Sequence, residues 1–588
     1  MKTPLAWLVL ALALLHAATG GAAPPNVVTI RPARQRIDAP ANTIVQVRFD
    51  QDIDSSTVNG ASMRVFGRWS GPATGTIEVD DSTITFAPTT PLFAGEYVTV
   101  SLSKAIESTS GEAMSSGYAW SFWVASGAGK LDLTYLTRYT TRQGGETWVQ
   151  AYGAYAGDLN NDGWCDLFVP CEIMSQGRVF MNDGAGLYGG GFASVFLVSL
   201  CGPSPNDGGD FDNDGNLDVV VGCHGHDQLV VLRGDGTGAF PVKTPYTAAQ
   251  QVRSVGVLDA NGDGWDDIVA TGRLGSGNTG NLSLLMNNGD GTFAPRINIE
   301  VGVNQETSLA VADADNDGIM DVFVGSYTVP RTITVVLGDG NGGLIPQTPV
   351  ATSGLPWMLA VGDLNGDHNV DVFSAGSLGN NVGIHFGDGS GGISAVTSLT
   401  AGGFPPAIDA GDIDGDGDLE LVASNSAGSW TLWENAGDGS FINPRTLLSS
   451  SAGSCATLYD RDNDGDLDLT GVDEEDDWVY LFENDPLWTP VPATPAGPAT
   501  MEQNYPNPFN PSTTIRFELT RAGAVDVSVF DGAGAFVTTL VNARYPAGVH
   551  ELQWDGTDAE GHRVASGLYF YRLEANGVET TRKMMLLK

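Results

Sequence analysis

The residues with the plainest chemistry are acidic ones spaced two apart. The pattern D-x-[DN]-x-D-G-x-x-[DE] occurs seven times, beginning at Asp158, Asp210, Asp259, Asp313, Asp363, Asp412 and Asp460. Each copy puts side-chain oxygens at positions 1, 3, 5 and 9, where a tight turn can aim them at one point. Hard oxygen ligands at this density suit Ca²⁺, which takes roughly 6–8 of them. The first copy offers Asp158, Asn160, Asp162 and Asp166 with the backbone carbonyl of Trp164 at position 7. The second offers Asp210, Asp212, Asp214 and Asp218 with Asn216; the third, Asp259, Asn261, Asp263 and Asp267 with Trp265. The fourth offers Asp313, Asp315, Asp317 and Asp321 with Ile319; the fifth, Asp363, Asn365, Asp367 and Asp371 with Asn369. The sixth offers Asp412, Asp414, Asp416 and Glu420 with Asp418; the seventh, Asp460, Asp462, Asp464 and Asp468 with Asp466. The expectation is up to seven bound calcium ions.

An EF-hand begins the same way but needs a Glu at position 12 and flanking helices. Position 12 here is Val169, Val221, Ala270, Val324, Ser374, Ala423 and Gly471, none of which supplies a side-chain ligand. The runs after the loops, such as Val219-Val220-Val221 and Val322-Phe323-Val324, are short, apolar and β-branched. Such runs read as buried strands, so each loop closes a β-hairpin. A single Asp/Gly turn need hold no metal. In seven copies, however, the carboxylates would repel one another without a cation.

The elements that carry these loops follow from their spacing. A period near 50 residues marks an array of one supersecondary unit. Each unit shows four strand-like runs, with a second turn such as Leu337-Gly338-Asp339-Gly340 before the last. Four strands and seven units over 130–486 predict a seven-bladed β-propeller. The seventh unit lacks its fourth strand, and the strand-like run 131–137 has no blade of its own. It is predicted to pair with Trp478–Phe482 and close the ring. An open ring would leave two strand edges exposed.

These repeats resemble the FG-GAP/VCBS family, which builds the integrin α-chain propeller. The resemblance rests on the Gly-Asp-φ-Asn/Asp-x-Asp-Gly-φ-x-Asp core and implies Ca²⁺ in the hairpins on one face of the disc. Two departures stand out: His368 replaces the loop Gly of the fifth copy, and Glu420 replaces the last Asp of the sixth.

The rest of the chain fits an exported, all-β protein. It has 588 residues, 77 of them Gly, and a formal net charge of −42. Seven divalent cations would offset a third of that charge. The acidity argues against nucleic acid, which calls for a basic surface. Residues 1–23 read as a secretory signal peptide, with Lys2 ahead of the apolar stretch Leu5–Ala18. That stretch is too short to span a membrane, and no other candidate transmembrane segment follows. Residues 24–126 alternate as an Ig-like β-sandwich. They resemble the bacterial Ig-like domain of S-layer proteins in Val47-Arg48-Phe49-Asp50, Ile84-Thr85-Phe86 and Trp120-Ser121-Phe122. Such domains serve as spacers.

Residues 487–499 form a Pro-rich linker. Residues 500–588 give a third, smaller sandwich. They resemble the type A sorting domain of the type IX secretion system, related to the Ig-like domain of the flagellar hook-capping protein. The resemblance lies in Asn504-Tyr505-Pro506-Asn507-Pro508-Phe509-Asn510-Pro511 and in Gly567-Leu568-Tyr569-Phe570-Tyr571. It implies the type IX machinery as a partner and an extracellular or outer-surface location.

Five cysteines remain: Cys165, Cys171, Cys201, Cys223 and Cys455. Cys171 and Cys223 lie at the same offset beyond position 9, near the face opposite the loops. Cys201 starts there too, so its expected partner is Cys171 or Cys223. Arg233-Gly234-Asp235 spells an adhesion tripeptide but falls where other repeats have a plain turn. His224 and His226 follow a strand end and suit a ligand contact or simple solvation. Of the tryptophans, most are expected in the packing, with a few on a face able to stack on sugars.

No catalytic motif is present. There is no Ser elbow and no H-E-x-x-H, and His224, His226, His368 and His385 are the only propeller histidines. The leading expectation is a non-enzymatic surface protein that presents a propeller face to a glycan or protein. An extracellular polysaccharide lyase or hydrolase is the alternative, since paired carboxylates remain open. A purely structural envelope component is the third reading.

Overall fold

The computed structural model describes residues 23–272, 281–303, 305–448, 451–484 and most of 499–587. The expected signal peptide and nearly all of the expected linker lie outside the described residues. Among those described, only the short 3₁₀ turns Ser55–Thr57 and Glu172–Met174 interrupt an all-β chain. Residues up to Leu487 form one compact unit and those from Trp488 a second.

The first sandwich has two four-stranded antiparallel sheets. One orders Val27–Arg31, Val45–Phe49, Thr83–Pro88 and Gly75–Asp80; the other Gly71–Pro72, Met63–Gly67, Tyr97–Leu102 and Tyr118–Trp123. Val45, Val47 and Phe49 alternate into the core with Trp120 and Phe122. Fully burying an apolar side chain of this kind stabilises by about 1.5–3 kcal/mol. The last strand breaks the alternation: Ala119, Ser121 and Trp123 on its other face are buried as well. A sheet covered on both faces has a second neighbour, and here it is the propeller.

Seven four-stranded blades follow, the fourth with a short extra strand at Val350–Ala351. Their second strands, from Asp166–Cys171 to Asp468–Asp473, are buried at every residue. Blades packed against each other on both sides require that continuous apolar pattern. The innermost strands contact one another in sequence, and that of blade seven, Gly453–Tyr459, meets Tyr155–Gly157 of blade one. The ring is therefore closed.

Closure uses the strand that precedes blade one. Thr134–Thr140 pairs antiparallel with Trp478–Glu483 as the outer strand of blade seven, with Thr140 opposite Trp478 and Thr134 opposite Glu483. The strand starts three residues later than the expected 131–137. Leu131 and Leu133 instead bury their side chains in the cluster that holds Leu467 and Leu469. Leu131 has φ of 53°, which ends any extended run there.

The sandwich does not stand off from the disc as a spacer. It lies across the acidic loops and meets every blade. Asp158 N–H donates to the Trp69 carbonyl at 2.8 Å. Arg64 pairs with Asp266 at 2.8 Å, and Lys104 Nζ donates to the Asn261 carbonyl at 2.7 Å. Arg64 also donates to the Asp210 carbonyl at 3.4 Å. Ala119 N–H donates to the Gly318 carbonyl at 2.6 Å, and Trp123 packs in the cluster of Leu364. Ser126 donates to the Asp412 carbonyl at 2.6 Å, and Gly127 N–H donates to the Gly465 carbonyl. Leu131 and Leu133 hold the connecting segment down.

The second unit is a smaller sandwich. A three-stranded sheet contains Thr513–Leu519, and a four-stranded sheet contains Gly523–Asp531 and Gly567–Ala575. Its core gathers Ile515, Phe517, Val527, Trp554 and Tyr571.

Candidate functional site

The acidic loops share one internal architecture. The position 1 carboxylate accepts the position 6 backbone N–H in all seven and the position 5 N–H as well in the first five. Asp162 and Gly163 donate to Asp158 at 3.0 and 2.9 Å, and Asp317 and Gly318 donate to Asp313 at 3.1 and 3.0 Å. This turn needs left-handed backbone at positions 4 and 6. Position 4 is always Asn or Gly, from Asn161 to Asn463, with φ between 53° and 75°. Only Gly, and to a lesser degree Asn, adopts that conformation readily. The sequence pattern treated position 4 as free, although its composition carried this signal. His368 takes φ of 67° at position 6 and still donates to Asp363 at 2.8 Å, so the fifth loop keeps the shared turn.

Position 9 does two jobs. Asp321 accepts Ala314 N–H and Gly338 N–H, both at 2.7 Å. Asp218 likewise accepts Phe211 and Gly234 N–H, at 3.0 and 2.7 Å. The buried acid therefore staples the loop to the third strand of its own blade. Position 9 is buried in all seven copies and position 1 in six, while position 5 is exposed in six.

Several copies bring their ligand atoms together. The carboxylate oxygens of Asp210, Asp212 and Asp218 lie within 4.8 Å of one another. So do those of Asp313, Asp315 and Asp321, of Asp412, Asp414 and Glu420, and of Asp460, Asp462 and Asp464. Asn160, Asn261 and Asn365 take position 3 in copies one, three and five. Asp212 Oδ1, Asp412 Oδ1, Asp460 Oδ1 and Asp462 Oδ1 are buried and accept no hydrogen bond. Burial, reinforced by neighbouring carboxylates, pushes Asp218, Asp267 and Asp321 up to about 8 and Glu420 up to about 9. A divalent cation among these oxygens would offset both desolvation and repulsion. The donor set fits a hard cation. Positions 1, 3, 5 and 9 with the position 7 carbonyl would hold it, and its charge would tie the turn to the blade.

The copies are not electrostatically alike. Arg233 pairs with Asp212 at 3.1 Å, so the Arg233-Gly234-Asp235 tripeptide is part of blade packing. Asp235 closes its own turn by accepting Thr237 N–H at 3.0 Å. Arg34 of the sandwich reaches Asp313 at 3.3 Å. In the seventh loop Arg461, at position 2, is buried against Asp468, Asp462 and Glu483.

The opposite face carries a different set. The disulfide Cys201–Cys223 lies there, as the strand layout anticipated, while Cys165, Cys171 and Cys455 are free and buried. His224 pairs with Glu172 at 2.8 Å. The buried His385 donates or accepts at the Thr352 hydroxyl and the Ser394 carbonyl, a packing role. Trp430 and Trp433 are buried in the blades, whereas Trp148 is 45% exposed.

At the centre of this face the Trp357 indole N–H donates to the Tyr152 hydroxyl at 2.6 Å, from blade five to blade one. Tyr327 and Phe404 flank Trp357 with ring centroids at 6.1 and 6.0 Å. Behind this pair a cavity of about 370 Å³ runs along the propeller axis. Arg64, Arg68 and Trp69 of the sandwich line it too. Nothing in the residue pattern signals this grouping, because its members come from separate blades.

Comparison with known families agrees with this architecture. A bacterial Ig-like domain profile matches residues 21–124. The FG-GAP-like repeat profile matches 210–270, 273–324, 363–423 and 412–470. A FlgD Ig-like domain profile matches 507–578. Repeats and domains of these kinds are those of surface and extracellular proteins. No curated protein matches the chain.

Three solved structures share partial likeness. One describes recognition of non-reducing terminal N-acetylglucosamine by an Agrocybe aegerita lectin. It is 19% identical over 53% of this chain and 83% of its own, with a TM-score of 0.36. A functionally unknown protein from Desulfotomaculum acetoxidans is 12% identical over 65% and 98%, at 0.39. A fungal alcohol oxidase of the AA5 family, in complex with copper, is 13% identical over 78% and 100%, at 0.39. No function is carried over from them. Among the described residues no helix is long and apolar enough to cross a membrane.

Proposed function

We propose that this protein is an exported, calcium-stabilised, non-enzymatic surface protein that binds a glycan or protein on the propeller face opposite its acidic loops. One observation carries the reading: the first sandwich covers the loop face at all seven blades and leaves the aromatic channel mouth on the other. Calcium then has a structural task, holding the turns on which the sandwich rests. In this reading the 500–588 domain directs passage through the type IX secretion machinery, and the signal peptide directs the step before it.

The test is a glycan array and a surface-protein capture with the purified mature chain in Ca²⁺. Binding that persists when the sandwich alone is supplied, or no binding to either class, would exclude the propeller-face reading.

A second reading rests on Glu474, also on this face. Burial, with Glu172 and neighbouring acids, pushes its carboxyl up to about 7. A carboxyl that keeps its proton near neutral pH is the general acid that glycoside cleavage uses. Turnover of a polysaccharide by wild type and not by Glu474→Gln would favour this hydrolase reading.

A further inference from the structure

Resting on that binding reading, we infer that the channel mouth between blades one, three and five is a pocket for the terminal residue of a neutral glycan, with Trp357 as its stacking platform.

The first sandwich lines the axial cavity at its loop-face end with Trp69, Arg64 and Arg68, while Trp357 and Tyr152 line it at the uncovered face, which is the side a ligand approaches from. A cavity of about 370 Å³ lies inside the ~300–1,000 Å³ range of small-molecule sites. With the sandwich lying over the loop face, this cavity favours a chain terminus over a polymer threading along the axis.

The wall chemistry selects the class. Trp357 is held in place by its bond to Tyr152 and by the two flanking rings, and aromatic faces of this kind meet the C–H faces of sugar rings. The Arg253 guanidinium lies 6.0 Å from the Trp357 ring centre and lines the same cavity. Tyr152, Ser254 and Thr457 line the same cavity. Donors and acceptors therefore stand along one cavity wall, which suits hydroxyl groups. The lining carries Arg64, Arg68 and Arg253 against Asp207, Asp259 and Asp266, so its formal charges balance, which favours a neutral ligand over either ion.

The experiment uses the full mature chain in saturating Ca²⁺. Saturation-transfer NMR and tryptophan fluorescence are recorded with methyl glycosides of glucose, galactose, mannose and N-acetylglucosamine, and with oligosaccharides that end in them. At least one is expected to bind saturably. Trp357→Ala should weaken it tenfold or more, with the melting curve as the check on folding. Phe404→Ala, at a rim residue that is 36% exposed, should weaken it severalfold without disturbing the core. Glycan binding that survives both substitutions would overturn this pocket while leaving the broader reading intact. Binding to internal chain segments, unaffected by capping the terminal residue, would overturn it too. If wild type captures a protein but none of these sugars, the inference fails and the protein arm of the broader reading stands.

Discussion

Arg461 Nη2 lies 3.2 Å from Oδ2 of Asp468, so a guanidinium of the chain itself faces the buried position 9 acid of the seventh loop. Both side chains are almost fully buried. Removing one member of a buried pair leaves the other charge uncompensated, at a cost of about 3–5 kcal/mol. Arg461→Met is expected to lower stability by that amount in urea unfolding. The seventh loop should also be the weakest calcium site. Asp460→Asn should change the calcium stoichiometry at moderate concentration less than Asp412→Asn in the sixth loop. Equal losses in isothermal titration would refute that ranking.

Chelation should lower the melting temperature clearly, and Ca²⁺ should restore it better than Mg²⁺. Mg²⁺ is smaller and gives up its water reluctantly. The comparison is made by scanning calorimetry, with metal analysis of each sample. A metal-free protein that melts like the loaded one would count against the calcium reading.

Stability should also depend on Glu96. Its buried carboxylate accepts Trp69 N–H at 2.7 Å and Phe93 N–H at 3.1 Å, which fixes the turn that rests on Asp158. Burial wins over these bonds and pushes the carboxyl up to about 7 from its ordinary 4.5. The folded state thus holds the proton more tightly than the unfolded one. Stability from this group is full below about 4.5 and is lost as pH rises through about 7. In saturating Ca²⁺, the urea midpoint of wild type should fall from pH 5 to pH 8 more than that of Glu96→Gln. Identical slopes would show that Glu96 does not titrate in this window.

Deleting residues 134–140 removes the outer strand of blade seven and exposes the edge of Trp478–Glu483. The whole propeller should melt several degrees lower in one transition. A deletion variant with the wild-type transition would mean that the pairing contributes nothing.

The Cys201–Cys223 link closes a loop of 22 residues. Replacing both cysteines by Ser is expected to cost about 2–4 kcal/mol. Peptide mapping of the non-reduced protein should recover this pair. The buried Cys165, Cys171 and Cys455 should be alkylated only after unfolding; a different pairing would contradict the blade layout.

The sequence alone determined what is periodic or local. Seven acidic loops at a near-constant step required seven like hairpins, and continuous β-branched runs after them required strands buried on both faces. The orphan strand before blade one implied ring closure, because a ring with unequal ends leaves an edge. The equal offsets of Cys171 and Cys223 narrowed the disulfide to two choices.

Tertiary structure decided everything that depends on which surfaces meet. Tyr118–Trp123 carries large side chains on both faces, a hint of a second neighbour, yet nothing in it names the acidic loops as that neighbour. The strand starts three residues later because Leu131, at φ of 53°, breaks the extended run and buries with Leu133 in the cluster of Leu467. Arg461 reads as one more charged surface residue until the blade folds it against Asp468. Trp357 and Tyr152 are 205 residues apart. Only the closed ring brings them within hydrogen-bond distance, because chain separation carries no information about contacts made across a channel.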